Sequence, residues 1–125
     1  MSIAKLVLMT LALSATVPMT DQSPLLGVWI EVNGPGAARI EPCKQMQDRL
    51  CAIGLARRAK GQPGLVDDGI VLSDLKLDGT NRWRGSYHDG KRLLPATVRF
   101  MSSQVVEMKV CILVICQSAR YTRAA

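Results

Sequence analysis

From Pro24 to the C-terminus, apolar and polar residues alternate in short runs, and each run stops at a cluster of Gly, Pro, Asn or Asp. Nowhere in this stretch do apolar residues recur at helical spacing between proper caps. A chain patterned in this way buries its apolar face by pairing strands. The expected strands are Leu25–Val32, Ala37–Pro42, Leu50–Arg57, Ile70–Leu77, Arg82–Tyr87, Leu93–Phe100, Gln104–Cys111 and Cys116–Arg123. Between them lie Asn33-Gly34-Pro35-Gly36, Lys60 to Gly64, Asp78-Gly79-Thr80-Asn81 and His88-Asp89-Gly90-Lys91, all built from residues that tolerate positive φ or preset a turn. Eight short strands in sequence predict an all-β chain, a small antiparallel up-and-down β-barrel, since closing the meander removes its exposed edges.

Register can be read from the side chains. With Cys111 opposite Cys116, Val106 faces Tyr121 and Met108 faces Ala119 on one side of the last hairpin, while Glu107 faces Arg120 on the other. Leu94, Ala96, Val98 and Phe100 likewise share a face opposite Thr97 and Arg99. One face is core and one is solvent, as in an antiparallel sheet. The first strand differs, because Leu26, Val28 and Ile30 are apolar on one side and Leu25 and Trp29 on the other. Something must cover both faces; the candidates are Leu55 to Lys60 or a piece of the N-terminal segment.

Length allows one domain. The chain has 125 residues, and removing a leader leaves roughly 105, enough for one core. Met1 to Lys5 carries a single positive side chain, and Leu6 to Val17 is a largely apolar run ending at Pro18. That run is too short to span ~30 Å of hydrocarbon, so residues 1–20 read as a secretory signal cut near 15–20, and 21–125 as the barrel domain with no transmembrane span. A periplasmic or secreted location follows. Four cysteines in an exported chain, falling as Cys43 with Cys51 and Cys111 with Cys116, favour two local hairpin disulfides among three connectivities. Zinc would need tighter spacing and partner histidines, and C-x-x-C is absent, so neither a metal nor a redox pair is expected.

The net charge of +6 favours anionic surfaces without specifying one. Arg57, Arg58 and Lys60 form one basic group, and Arg82, Arg84, Lys91 and Arg92 a second around Trp83; Arg57, Arg58, Arg82 and Arg84 are the candidate anion contacts. Aromatic residues are only 4%, too few to interleave with these charges as a nucleic-acid surface. Asp67, Asp68, Asp74 and Asp78 lack the ligand spacing of a calcium loop. His88 is the one histidine, in what reads as a tight turn, and neither Ser86 nor Ser118 is placed beside it. No phosphate loop, H-E-x-x-H or G-x-S-x-G occurs. The expectation is a chain without enzymatic activity or cofactor. Ile112-Leu113-Val114-Ile115 is apolar where a hairpin tip should be polar, and is expected to tuck under the barrel as a plug, or else to contact a partner or membrane.

Gly27-Val28-Trp29, Arg39-Ile40-Glu41-Pro42-Cys43 with Leu50-Cys51, Trp83-Arg84-Gly85 leading to Tyr87, and Cys111 to Cys116 with Tyr121-Thr122-Arg123 together resemble the proteobacterial secreted family called domain of unknown function 2147. The resemblance covers nearly all of the mature chain. It implies a calycin, or lipocalin-like, barrel and a periplasmic address, and no chemistry. Many members carry a longer stretch after the Leu-Cys strand and a Trp near the C-terminus; here Gly64 to Asp68 is short and Tyr121 takes the aromatic place. The likeness to calycins further implies barrel closure by Gly27, Trp29 and a basic side chain of the last strand, Arg123 or alternatively Arg120.

Two functions of different class follow. Inward aliphatics Val98, Phe100, Val106 and Met108, with Tyr121, line a candidate cavity for a small apolar or amphipathic molecule. Alternatively the basic outer face and the 112–115 tip serve an envelope protein partner as an interaction module.

Overall fold

Alternation of side chains and Gly-rich turns produces eight antiparallel strands in the computed structural model, which describes residues 23–58 and 62–124. They are β1 Gly27–Glu31, β2 Ala37–Pro42, β3 Leu50–Arg57, β4 Leu65–Leu77, β5 Arg82–Asp89, β6 Arg92–Ser102, β7 Val105–Ile112 and β8 Ile115–Arg123. Each pairs with the next, and β8 returns to β1, so the sheet closes into a barrel and every strand has a partner on both sides. The described residues contain no helix, and so none long and apolar enough to cross a membrane. The segment expected to be a cleaved leader, with its cleavage site, lies outside the described residues.

The closing seam is short. Trp29 pairs with Arg123, Ile30 with Thr122 and Glu31 with Tyr121; Ala124 N–H to Val28 O at 2.9 Å and Val32 N–H to Arg120 O at 2.8 Å extend it at either end. The last hairpin has the register expected from its side chains, with Val106 opposite Tyr121, Met108 opposite Ala119, Glu107 opposite Arg120 and Cys111 opposite Cys116. Both local disulfides are formed, Cys43–Cys51 and Cys111–Cys116. Two such bonds belong to an oxidising, extracytoplasmic compartment.

The core runs through the barrel. Leu25, Trp29, Leu50, Leu75 and Val98 are its largest fully buried side chains, joined by Ile40, Leu72, Trp83 and Val106. β4 reaches its inward residues through a bulge, where Asp74 takes a positive φ of 57° between the paired residues Ser73 and Lys76. The bulge turns Leu75 inward against Gly85. A Cβ on Gly85 would lie 2.5 Å from the Ser73 carbonyl oxygen and 2.9 Å from a Leu75 methyl, so the W-x-G-x-Y element carries glycine because the bulge occupies that space.

Three expectations are corrected. β4 begins at Leu65 rather than Ile70, because Leu65, Val66 and Asp67 pair with Arg57, Ala56 and Leu55 across bulges that break the simple alternation. His88 lies in β5 and not in a turn, since pairing runs on to Asp89 opposite Arg92 and leaves Gly90-Lys91 as the connection. The 112–115 segment is not a plug: Ile112 pairs with Ile115, and Leu113 and Val114 project at 93% exposure each. The outer side of β1 is only partly covered. Ile30 remains 36% exposed at the edge of a cleft shared with Leu55, Ala56 and Arg57.

Candidate functional site

One end of the barrel is sealed by Trp29 and Arg123. The Arg123 guanidinium carbon stands 4.3 Å from the Trp29 ring centroid. Its Nη1 donates to Leu26 O at 2.8 Å, Nη2 to Pro24 O at 2.7 Å and Nε to Ser103 O at 2.9 Å, while the indole N–H donates to Leu25 O at 2.8 Å. One cation thus ties the segment entering β1 to the β6–β7 turn across the bottom of the barrel. Gly27 has a φ of +125°, and a Cβ there would lie 2.9 Å from Arg123 Nη1, so glycine is needed both for the backbone and for the approach of the guanidinium. Arg120, the alternative partner, faces outward opposite Glu107, 3.6 Å from its carboxylate.

Above this seal lies an interior cavity of about 280 Å³. Ala38, Ile40, Ala52, Leu72, Val98, Val106 and Met108 form its apolar wall, and Trp29, Tyr87 and Tyr121 bring three of the chain's five aromatic residues to it. The alanines create the space, since larger residues at 38 and 52 would fill the lumen of an eight-strand barrel. Of the residues expected to line a cavity, Val98, Val106, Met108 and Tyr121 do so. Phe100 does not; it packs against the core cluster instead.

The polar groups of this cavity gather at the end where the β1–β2 turn crosses. Glu31 is the cross-strand neighbour of Tyr121, and its Oε1 accepts the Gly36 N–H at 3.1 Å. A Cβ on Gly36 would meet Glu31 Oε1 at 2.5 Å and Tyr121 Oη at 3.4 Å, so glycine lets the turn close over the carboxylate and the phenol together. Burial, reinforced by the Glu31 carboxylate and by Tyr87, pushes the Tyr121 hydroxyl above the usual phenol range. A carboxylate beside the Tyr121 phenol, with Tyr87 lining the same cavity, accepts hydrogen bonds and favours a positive or donor-rich group. Alternation puts Glu31 on the same face as the inward Trp29, and the pairing of β1 with β8 then sets it beside Tyr121.

The basic residues fall into separate places. Arg57 and Arg58 line an outer cleft of about 950 Å³ with Pro35, Pro63 and Leu65. Lys60, expected beside them, lies outside the described residues. Arg82 and Arg84 stand a strand's length away, at the start of β5. Both are held by Asp78: Arg84 Nε at 3.0 Å and Arg82 Nη2 at 3.7 Å from its carboxylate, with Arg82 Nε also on the Asp78 carbonyl at 2.8 Å. The four candidate anion contacts therefore do not form one site, and Lys91 and Arg92 sit at the opposite end of the β5–β6 hairpin from Arg82. Among the aspartates, Asp67 bonds Arg39 at 2.9 and 3.0 Å, and Asp74 meets Arg49 at 3.0 Å. The Arg39 guanidinium holds the Asp67 carboxyl below its ordinary range. No group of three or more potential metal ligands occurs among the described residues.

One pairing was invisible in the sequence. Ser73 Oγ lies 2.7 Å from His88 Nε2 on the outer wall, because Ser73 is opposite Ser86 on β5 and the imidazole of His88 reaches it diagonally. Its only sequence signal is strand pairing between residues 15 apart. A hydroxyl and an imidazole are two members of a nucleophilic constellation, but no carboxylate hydrogen-bonds the ring among the described residues.

Comparisons of the chain with protein-family models, with curated proteins and with solved structures return no match.

Proposed function

We propose that this chain is a non-enzymatic binding module of the bacterial periplasm that holds a small amphipathic molecule in its barrel. The carrying observation is the 280 Å³ cavity, apolar along its wall and polar at one end. Pockets that hold small molecules combine an apolar lining with a few placed polar groups, and their usual volumes begin at ~300 Å³. The cavity therefore suits a small ligand. Its apolar body lies between Val98, Val106 and Met108, and a hydrogen-bond-donating or cationic head reaches Glu31 and the phenols of Tyr87 and Tyr121. The two disulfides and the likeness to the lipocalin-like secreted family of domain of unknown function 2147 support the location and the calycin kinship.

Native mass spectrometry of protein purified from the periplasm tests the reading, together with quenching of Trp29 fluorescence by a naphthylamine dye in a Trp83→Phe background. A co-purifying small molecule, or dye uptake that Ala38→Leu abolishes by filling the cavity, is expected. An empty protein that takes up no dye refutes it. A second reading, an interaction module for an envelope protein, draws on the cations of the outer wall, Arg84, Arg99, Lys109 and Arg120, and on the exposed tip. It is favoured if the barrel proves empty and a defined envelope protein cross-links to that wall.

A further inference from the structure

The apolar tip is expensive for the fold and contributes no burial to it. Leu113 and Val114 are each 93% exposed and Ile115 is 70% exposed. Leu113 also has a φ of +58°, a conformation in which glycine or asparagine is the ordinary occupant of a two-residue hairpin turn. A polar, glycine-containing turn would connect β7 and β8 better on both counts. The disulfide Cys111–Cys116 clamps the hairpin immediately beneath the tip, so these side chains are presented on a rigid support.

The meander places the tip at the same end as the β1–β2, β3–β4 and β5–β6 connections, around the mouth where Glu31 and Tyr121 lie. Other exposed apolar side chains share this rim: Val32 at 51%, Leu65 at 41% and Leu93 at 63%. Cations accompany them. Arg57 is opposite Leu65, Arg58 follows it, and Lys91 is two residues before Leu93; none of the three has an ion pair among the described residues. The acidic groups nearby are otherwise engaged or set inward: Asp89 is bonded to Arg92, Asp67 to Arg39, and Glu31 accepts the Gly36 N–H inside the mouth, leaving Asp68 as the exposed exception. Apolar tips flanked by free cations match a surface that is hydrocarbon beneath and negative at its face. A folded protein partner would more often meet a concave or flat patch, whereas this rim is a ring of projecting turns.

We infer that the barrel docks mouth-first on an anionic phospholipid bilayer, inserting Leu113 and Val114 with Arg57, Arg58 and Lys91 on the headgroups. This docking stands on the rim alone and holds whether or not the barrel carries a ligand. The test is co-sedimentation of the mature protein with vesicles of phosphatidylcholine, with and without phosphatidylglycerol. Binding is expected only with the anionic lipid and should weaken with added salt. Leu113→Gly with Val114→Asn should lower it at least about tenfold, since two apolar side chains are withdrawn from hydrocarbon; these residues suit the turn, so the variant folds at least as well. Arg57→Gln, Arg58→Gln and Lys91→Gln together should remove the preference for anionic vesicles. Should Val114→Asn alone be made, a smaller loss in the same direction is expected. Failure of the wild-type protein to sediment with anionic vesicles overturns the inference, as does undiminished binding of the double tip variant. A concentration-dependent dimer that the tip variant dissolves, without vesicle binding, assigns the tip to a second copy of the chain and equally overturns it.

Discussion

Replacing Arg123 by methionine removes one side chain that makes four contacts, while keeping most of the aliphatic stem that covers the indole. The Nη1 bond to Leu26 O is partly buried and charge-assisted, worth about 1.5 kcal/mol. The bonds to Pro24 O and Ser103 O are exposed and worth roughly 0.5 kcal/mol each, because water replaces them cheaply. The cation over the ring at 4.3 Å contributes about 1 kcal/mol. Arg123→Met should therefore destabilise by about 3.5 kcal/mol, a large share of the ~5–10 kcal/mol available to a domain of this size. Equilibrium unfolding in guanidinium, disulfides intact, should show the midpoint lowered by about 1 M at a slope near 3 kcal/mol/M, with the slope unchanged. Arg123→Lys should fall between, since an ammonium keeps the ring contact but not the three-pronged fork. A double-mutant cycle with Trp29→Leu, which leaves no ring face for the cation, should return about 1 kcal/mol of coupling. If Arg123→Met costs less than about 1 kcal/mol, the seal is ornamental and the closure argument fails.

Gly85→Ala should destabilise by about 2 kcal/mol or more, because the added methyl meets the Ser73 carbonyl oxygen and Leu75 within the bulge; thermal unfolding at wild-type midpoint would count against the account of the W-x-G-x-Y element. Thiol titration of unfolded, unreduced protein should find no free cysteine, and loop-closure entropy puts the bridges spanning 8 and 5 residues at about 2.5 and 2 kcal/mol. Serine pairs should show the larger loss for Cys43 and Cys51, which are buried; the reverse order would contradict the burial argument. Tyr121 should ionise above ~10 in a Tyr87→Phe background, followed by phenolate absorbance. Its neutral form is favoured by the fold, so the stability it adds is complete below ~10 and is lost as pH rises through the raised value; titration at the ordinary phenol value would refute the buried placement. Leu113→Gly should raise stability by about 0.5–1 kcal/mol in the same unfolding assay, by removing positive-φ strain, and a loss would show that Leu113 packs somewhere.

Strand order, most strand positions and the register of β7 with β8 are legible in the sequence, because alternation and the cysteine spacing each point to one answer. The register of the last hairpin puts Arg123 inward with Tyr121, but its pairing with Trp29 is legible only through the likeness to calycins, since no local pattern joins residues at opposite ends of the chain. β4 is where local reading fails. Leu65-Val66-Asp67-Asp68-Gly69 looks like a loop, yet it pairs with β3, and Arg39 reaches across from β2 to hold Asp67. Bulges at Asp74 and between Ile53 and Leu55 shift the period, so a template of strict alternation finds a strand only from Ile70. The cavity is equally hidden. It arises because Ala38 and Ala52 face one lumen, and an alanine in a strand reads as a weak strand former until its neighbours across the barrel are known.

The failures at the mouth differ in kind from the failure at β4. There, local chemistry is read correctly and the molecule departs from it: Leu113-Val114 occupies a turn that polar residues would make better, and Glu31 is carried on the inward face of an otherwise apolar strand. A bulge is repaid by Leu75 entering the core, and the inward carboxylate by the Gly36 N–H it accepts, whereas the exposed tip gains nothing from folding. Where each local choice elsewhere agrees with the barrel, residues that oppose it without structural return mark the region under another constraint. Both lie at the same end. The mouth is therefore where local chemistry and fold disagree, at the Leu113-Val114 tip, and the sealed end, with Gly27, Trp29 and Arg123, is the part that closure explains.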